Sequence, residues 1–276
     1  MGIIKDSLTF DDVTLIPSFS SILPSEAITS TDLGPKLRLK IPLMSSAMDT
    51  VTEAKMAIAL SKAGGLGVIH RNLSIEKQIK EVKKVKRNKC IVGAAIGVSE
   101  KDLDRAIELN KANVDLLIID TAHGHTEKVS KMINKVKKKI SSRILCAGNI
   151  ATGKAAKFLA DSGADIVKVG IGPGSICTTR LVAGIGVPQL SAIIDVKKSL
   201  RNYKTKIISD GGIKFSGDLA KGLAAGADCI MIGSLFSGTD ESPGKIIKIK
   251  GKLYKNFRGM GSVGACLLYT SDAADE

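Results

Sequence analysis

The chain has 276 residues, with 41 Lys and Arg against 27 Asp and Glu, which gives a net charge of +14 at neutral pH. A hydrophobic content of 44% and a charged content of 25% are typical of a globular protein, and this length allows one large α/β domain. The sequence carries neither a signal-peptide pattern nor an apolar run near the roughly 20 residues of a membrane span, and its aromatic content of 3% disfavours a stacking surface for single-stranded nucleic acid.

Charge and cysteine usage favour an enzyme of a reducing compartment. The lysines are spread over separate helical segments and interleaved with apolar residues, so we interpret them as a solvated surface rather than a nucleic-acid site. The five cysteines are odd in number and form no CxxC pair, which argues against a disulfide framework and favours the cytoplasm. We therefore expect neither a membrane nor a nucleic acid among the partners.

Short apolar strands and amphipathic helices alternate along the chain. Candidate strands occupy residues 41–45, 66–70, 91–97, 115–120, 143–148, 165–170, 206–210 and 229–233. Helices are predicted over residues 52–63, 74–86, 100–110, 126–138, 153–162, 187–200 and 216–225. Near-continuous apolar runs are typical of buried parallel strands. Eight such units predict an α/β protein with a (β/α)8 TIM barrel, and a doubly wound sheet is the alternative.

Polar residues and glycines follow nearly every predicted strand. They include residues 45–49, His70, residues 120–125, Gly148 and Asn149, the loop around Cys177, residues 210–212, and Gly233 and Ser234. Barrel enzymes gather their active sites at the C-terminal ends of all strands, whereas a doubly wound sheet binds its ligand at one switch point. This distribution favours the barrel.

The loop after the sixth predicted strand is the strongest candidate for catalysis. Gly170, Gly172 and Gly174 allow sharp turns and expose N–H groups that form an anion cradle. Cys177 lies beside this cradle, and the nearby Arg180 would favour the nucleophilic thiolate. The alternative is a tight strand-to-helix connection with Cys177 as a buried small apolar residue. The clustering favours a site where a phosphorylated small molecule meets a reactive sulfur.

The last strands supply a candidate phosphate site, because barrels often bind phosphate there. Its hydroxyls and close-approach backbone come from Ser175, Gly212, Gly233 and Ser234. The alternative is glycine packing at the barrel rim. Asp210 is a candidate for binding a ribose diol, or else a helix-capping carboxylate.

Two histidines follow the fourth predicted strand, in Asp120-Thr-Ala-His-Gly-His125. A catalytic metal site needs further ligands, and the remaining histidine of the chain is His70. We therefore favour ligand contact by Asp120 over a metal at this position.

Long motifs in the chain match a known pattern. The longest reads Gly170-Ile-Gly-Pro-Gly-Ser-Ile-Cys-Thr-Thr-Arg-Leu-Val-Ala-Gly-Ile-Gly-Val-Pro-Gln189, and others lie at residues 8–13, 45–53, 147–150, 209–213, 231–234 and 258–262. From about residue 8 to residue 265 the chain closely resembles the inosine-5′-monophosphate (IMP) dehydrogenase family. The resemblance implies NAD-dependent oxidation of IMP to XMP, the branch step toward guanine nucleotides in purine biosynthesis.

The resemblance also implies a role for individual residues. Cys177 would attack C2 of the hypoxanthine ring near Thr179, hydride would pass to NAD, and water would release XMP from the covalent adduct. The nucleotide would be bound by Ser46, Met48, Ser175, Asp210, Gly212, Gly233, Ser234, Met260 and Gly261. Asp120, Asn149 and Gly170 would face NAD. A potassium ion would be held by the carbonyls of Gly172, Gly174 and Cys177, and the family forms homotetramers.

Three features depart from the family pattern. Residues 86–90 join helix to strand directly where the family usually inserts a CBS module, so we expect CBS-type regulation to be absent. Phe257 replaces a tyrosine whose hydroxyl contacts the phosphate. The family's mobile flap, with an Arg-Tyr pair that activates water, has no counterpart. We therefore expect a single catalytic barrel over residues 1–265, a disordered or artefactual tail over residues 266–276, and impaired hydrolysis.

Two alternatives remain open. GMP reductase shares the barrel, the Cys-Thr-Thr loop and the absence of CBS modules, and it reduces GMP with NADPH. Residues 121–124, 180–189 and 258–262 favour the dehydrogenase. A non-catalytic nucleotide- or RNA-binding protein would instead bind polyanions with a steep salt dependence and keep Cys177 unreactive.

Overall fold

The structure, a computed structural model, describes residues 7–141, 143–244 and 246–260. Its strands are β1 Thr31–Asp32, β2 Arg38–Leu39, β3 Leu43–Ser45, β4 Leu66–Ile69, β5 Val92–Ile96, β6 Leu116–Asp120, β7 Ile144–Ile150, β8 Ile166–Val169, β9 Lys206–Asp210, β10 Cys229–Ile232, β11 Ile246–Ile249 and β12 Lys252–Lys255. Its helices are α1 Ala54–Lys62, α2 Ile75–Arg87, α3 Glu100–Lys111, α4 Glu127–Lys139, α5 Gly153–Asp161, α6 Thr179–Val182, α7 Gln189–Ser199, α8 Ser216–Ala224 and α9 Ser234–Ser237.

Strands β3 to β10 form a closed barrel of eight parallel strands, with β10 paired to both β9 and β3. The predicted (β/α)8 barrel is confirmed, and closure of the sheet excludes the doubly wound alternative. Each predicted strand and helix begins and ends within two residues of the observed one. Helix α2 continues into β5 through residues 88–91.

Glycines end several of the helices that surround the barrel. Gly64, Gly163 and Gly226 follow α1, α5 and α8 with φ values of +99°, +102° and +112°. After α1, the N–H groups of Gly64 and Gly65 donate to carbonyls of the last helical turn. Because only glycine adopts this left-handed conformation without strain, these positions fix where each helix stops and the next strand starts.

Two antiparallel hairpins are present that the sequence did not predict. The hairpin of β1 and β2 carries Leu33, Leu37 and Leu39, each 1% exposed, into the same apolar cluster as Met44 and Met231 of the barrel interior. The hairpin therefore closes the N-terminal end of the barrel. The hairpin of β11 and β12 has mostly exposed side chains and leads into residues 256–260. The predicted domain boundary at residue 265 and the predicted site residue Gly261 lie outside the described residues.

Candidate active site

A polar layer lies inside the barrel at the C-terminal ends of its strands. Side chains alternate between the inside and the outside along each strand, so residues two positions apart face the same interior. The apolar interior includes Ile118 of β6, Ile166 of β8 and Ile208 of β9. Two residues further along these strands, the positions that face the same interior are polar: Asp120, Lys168 and Asp210.

Lys168 is the centre of this layer. Its amino group lies 2.5 Å from Oδ2 of Asp210 and 2.9 Å from Oδ1 of Asp120, and it also donates to Oδ1 of Asn149. The lysine is 4% exposed, so these contacts replace its hydration. Burial by itself would lower the pKa of Lys168, but the carboxylates of Asp120 and Asp210 outweigh it and hold the pKa above its ordinary value. The lysine is therefore a fixed positive charge between two carboxylates.

Asn149 joins this layer to the glycine loop. The pairing of β7 with β8 shifts register between Gly148 and Ile150, which leaves Asn149 as the extra residue of a bulge. Its Nδ2 donates to the Gly170 carbonyl at 2.7 Å and to Oδ2 of Asp210 at 2.9 Å. The three residues predicted to face NAD, together with Asp210, are thus brought into one hydrogen-bonded group.

Gly170 and Gly172 are required by the course of the loop after β8. A Cβ on Gly170 would lie 2.0 Å from the Asp210 carbonyl oxygen, and the residue has a φ of +153°. Gly172 has a φ of +76°, and a Cβ there would lie 2.6 Å from Cγ of Arg180. The loop can therefore lie against β9 and against Arg180 only with glycine at these two positions.

Cys177 is half-buried on this loop, and its Sγ lies 3.2 Å from Oγ1 of Thr179. Its N–H donates to the Gly174 carbonyl at 3.1 Å, which folds residues 174–177 into a turn. Arg180 donates to the carbonyls of Ile171 and Val187 at 3.3 and 2.6 Å. The role that the structure gives Arg180 is thus to brace the loop, and the polar neighbour of the sulfur is Thr179.

The residues predicted to bind the nucleotide meet at one side of the barrel mouth. A Cβ on Gly233 would lie 3.3 Å from Sδ of Met48, 3.4 Å from Oγ of Ser46 and 3.8 Å from Cζ of Phe257. These residues come from the loops after β3 and β10 and from the segment after β12, and Ser234 follows Gly233 directly at the start of α9. Ser46, Met48 and Phe257 therefore border a space that a side chain at position 233 would fill.

The loop after β9 and the segment before residue 261 complete the mouth. A Cβ on Gly212 would lie 3.4 Å from Cβ of Pro173, so Gly212 borders the loop that carries Ser175. A Cβ on Gly259 would lie 3.7 Å from the Ile176 carbonyl oxygen, which places the residue before Met260 beside the Cys177 loop. Gly212 and the segment that carries Met260 therefore both border the loop on which Cys177 lies.

Arg258 anchors the segment that carries Met260, a role that the sequence alone does not indicate. Its guanidinium lies 3.3 Å from Oδ1 and 2.5 Å from Oδ2 of Asp49, and Asn72 donates to the same carboxylate at 3.0 Å. Hydrogen bonding to Asp49 raises the pKa of Arg258. A bidentate pair of this kind fixes orientation as well as position.

The two histidines of the fourth strand end have aromatic neighbours. The His125 ring packs edge-on against Phe158, with ring centroids 5.0 Å apart, and the His123 ring lies 6.3 Å from that of His125. Within the described part of the chain, His, Cys, Asp and Glu side chains do not gather in groups of three or more that would bind a metal. None of the helices over the same residues has the length and apolarity needed to cross a membrane.

Comparison with known proteins places the chain in a family. A family model described as the IMP dehydrogenase / GMP reductase domain matches residues 7–275. The chain is 47% identical to inosine-5′-monophosphate dehydrogenase of Borreliella burgdorferi, over 95% of this chain and 78% of the relative. It is 42% identical to the Cryptosporidium parvum enzyme of the same name, over 95% and 76%, and 36% identical to that of Aquifex aeolicus, over 95% and 80%. With the barrel, the glycine loop and Cys177 in place, the chain belongs to the IMP dehydrogenase / GMP reductase family.

Proposed function

We propose that the protein oxidises IMP to XMP with NAD, through a covalent adduct on Cys177. The observation that carries this proposal is the half-buried thiol of Cys177 on a glycine-shaped loop, 3.2 Å from the Thr179 hydroxyl and beside the converging nucleotide residues. The relatives carry the name inosine-5′-monophosphate dehydrogenase, which supports the same reaction.

The chemistry divides one difficult substitution into two steps. The Cys177 thiolate adds to C2 of the hypoxanthine ring, and the hydrogen on C2 then leaves with its electron pair. NAD supplies the hydride acceptor when it is bound. The resulting thioimidate on Cys177 takes up water at C2, and breaking of the C–S bond releases XMP and the thiol. Thr179 is placed to donate to or accept from the sulfur during both steps.

Asp210 binds the ribose in this proposal. Its Oδ2 already accepts from Lys168 and Asn149, whereas Oδ1 accepts from none of the residues that the structure describes. Lys168 and Asn149 therefore fix the carboxylate and leave one oxygen for a diol. The phosphate is assigned to Ser175, Gly212, Gly233 and Ser234, while Ser46, Met48, Met260 and Gly261 line the nucleotide site.

NAD is assigned to other residues of the same polar layer. Asp120, Asn149 and Gly170 are joined through Lys168 and through the bond from Asn149 to the Gly170 carbonyl. These contacts hold the Asp120 carboxylate and the Asn149 amide in fixed positions, which supports their assignment to NAD binding.

A potassium ion would be held by the carbonyls of Gly172, Gly174 and Cys177. Neutral carbonyl oxygens are the donors that this ion prefers, and the turn from Gly174 to Cys177 keeps two of them on one short stretch of loop. Its charge would order the backbone on which Cys177 lies. Titration with potassium against sodium, monitored by protection of the loop from proteolysis, tests this assignment.

We propose a homotetramer in the cytoplasm. Large apolar side chains stand exposed in two segments: Ile16, Phe19, Ile28, Leu181 and Val182, which are 90%, 93%, 86%, 87% and 82% exposed. Further copies of the chain would cover these surfaces. The free thiols of Cys90, Cys146, Cys177 and Cys229 support a reducing compartment.

The experiment is to compare Cys177→Ser with Cys90→Ser during IMP oxidation. Loss of a covalent nucleophile lowers the rate by about 10³-fold or more, whereas the control removes a thiol outside the site. Mass spectrometry of protein quenched during turnover should show the nucleotide on the peptide that contains Cys177. Equal activity of the two variants would contradict the mechanism. Consumption of NADPH with GMP, and none of NAD with IMP, would establish the reductase.

A further inference from the structure

Many lysines of the chain lie at the end of the barrel opposite to the site of Cys177. In a (β/α)8 barrel every helix runs antiparallel to the strands and ends at the N-terminal face. The last helical turns of the described helices carry Lys62, Lys84, Lys86, Arg87, Lys111, Lys137, Lys138, Lys139, Lys197, Lys198 and Lys221. The first turns carry acids instead: Glu76, Glu100, Asp102, Glu127 and Asp218. Lysines that are spread along the sequence thus meet on one face.

Favourable interaction with the helix dipole explains a single cation at the end of each helix. It does not explain a cavity on the same face that is lined by several cations. The cavity has a volume of about 640 Å³ and lies between the end of α7 and the starts of β9 and β10. Its cationic lining consists of Lys197, Lys198, Arg201, Lys204 and Lys206. Its acidic lining residue, Asp228, accepts from the Lys206 amino group at 3.2 Å and from the Ile207 N–H at 2.9 Å.

Four of the five cations have no acidic partner in the described part of the chain. Ion pairs there engage Lys206 but not Lys197, Lys198, Arg201 or Lys204. Like charges around one concave space repel each other, and a cleft lined by one sign of charge attracts the opposite ion. Asp228 is paired with Lys206 and therefore offsets one of the five cations, which leaves the charge of the other four unbalanced.

A second cavity of about 620 Å³ adjoins the first and shares residues 204–206 with it. It adds Lys36 and Arg38 to the lining together with two acids, Asp32 and Asp165, so the excess of positive charge lies in the first cavity. Leu200, Tyr203 and Ile207 provide apolar wall in the first cavity. Each volume is that of a small-molecule site, in the range of about 300–1,000 Å³.

We propose that this face binds a small anion that bears a chain of phosphate groups, with the phosphates among Lys197, Lys198, Arg201 and Lys204. A single phosphate group carries about two negative charges and would leave part of this charge unbalanced, whereas a chain of three balances four cations. The site is separate from the phosphate residues near Cys177 and does not depend on the reaction there.

The test is calorimetric titration of the full chain with inorganic tripolyphosphate and, separately, with ATP at low salt. The site variant is Lys198→Glu with Lys204→Glu, and the control is Lys154→Glu with Lys157→Glu on α5, which changes net charge equally at exposed positions. We expect one tripolyphosphate per chain, binding at least about tenfold weaker in the site variant and within about twofold of wild type in the control. Thermal denaturation confirms that both variants fold.

Three results would overturn the proposal. The first is that neither ligand binds. The second is that both variants weaken binding equally, which would indicate diffuse attraction by net charge. The third is that saturating IMP displaces the ligand, which would place the bound ligand at the face that carries Cys177. Similar affinities for tripolyphosphate and ATP would support recognition of the phosphate chain alone. Tighter binding of ATP, reduced by Tyr203→Ala, would support the same site with a nucleotide as its ligand.

Discussion

Replacing Lys168 with Met removes the positive charge from the polar layer while keeping a side chain of similar length. Asp120 and Asp210 then face each other without a cation, and Asn149 loses the donor to its Oδ1. Removing one partner of a buried ion pair costs about 3–5 kcal/mol. The Asp120 and Asp210 side chains retain 24% and 17% exposure to solvent, so we expect the lower end, about 3 kcal/mol.

The pH dependence follows from the direction of the Lys168 shift. A cation whose pKa is raised on folding stabilises the protein fully below its unfolded pKa and loses that contribution as pH rises through its folded pKa. Because the pKa of Lys168 lies above its ordinary value of 10.5, its contribution should stay constant through neutral pH and fall only in strong alkali.

The loss of unfolding free energy in Lys168→Met is measured by urea denaturation, monitored by circular dichroism. It equals the change in the midpoint urea concentration multiplied by the slope of the unfolding free energy against urea concentration. The control is Lys206→Met, which removes an ion pair of 3.2 Å between side chains 36% and 19% exposed and should cost under about 1 kcal/mol. Lys168→Arg keeps the charge and should fall between the two. If Lys168→Met destabilised the protein no more than Lys206→Met, the central role of this lysine would be refuted.

Three further predictions concern the loop and the mouth of the site. Gly170→Ala introduces a Cβ 2.0 Å from the Asp210 carbonyl oxygen, so the free energy of unfolding should fall by about 2–3 kcal/mol in urea titration, and an unchanged value would contradict the described loop. Arg258→Met leaves the buried Asp49 carboxylate, whose side chain is 7% exposed, without its cation, so it should lower the Tm and also raise the KM for IMP about tenfold; a drop in Tm without a change in KM would indicate a structural role alone. Phe257→Tyr adds a hydroxyl near Gly233 and should tighten IMP binding about tenfold through a hydrogen bond to a charged group, whereas unchanged affinity would place the phosphate elsewhere.

The sequence predicts the barrel because its signals are local and repeated. Each strand is an apolar run followed by a polar or small residue, and glycines such as Gly64 and Gly163 end the helices with a conformation that other residues avoid. The hairpin around Leu33 and Leu37 escaped prediction because its strands have two residues each. Its burial depends on the open end of the barrel, which exists only once the sheet has closed.

The sequence predicts candidate site residues where a residue type has characteristic chemistry, as with the thiol of Cys177 and the carboxylate of Asp210. Lys168 does not stand out in the sequence because it lies within an otherwise apolar strand. A lysine two positions after the inward-facing Ile166 was the available signal, since it must enter the barrel interior. Arg258 and Asp49 are 209 residues apart along the chain, and nothing local relates them. The lysines are spread along the sequence, whereas the barrel topology brings the helix ends to one face.

Formation of NADH in a rapid-mixing experiment with IMP, NAD and potassium tests the central claim most directly. We predict a fast phase of about one NADH per Cys177 thiol, absent in Cys177→Ser and retained in Cys90→Ser. A slow phase after this burst would show that hydrolysis of the adduct limits turnover. Absence of NADH from folded protein, together with oxidation of NADPH by GMP, would contradict the assignment of IMP oxidation to this site.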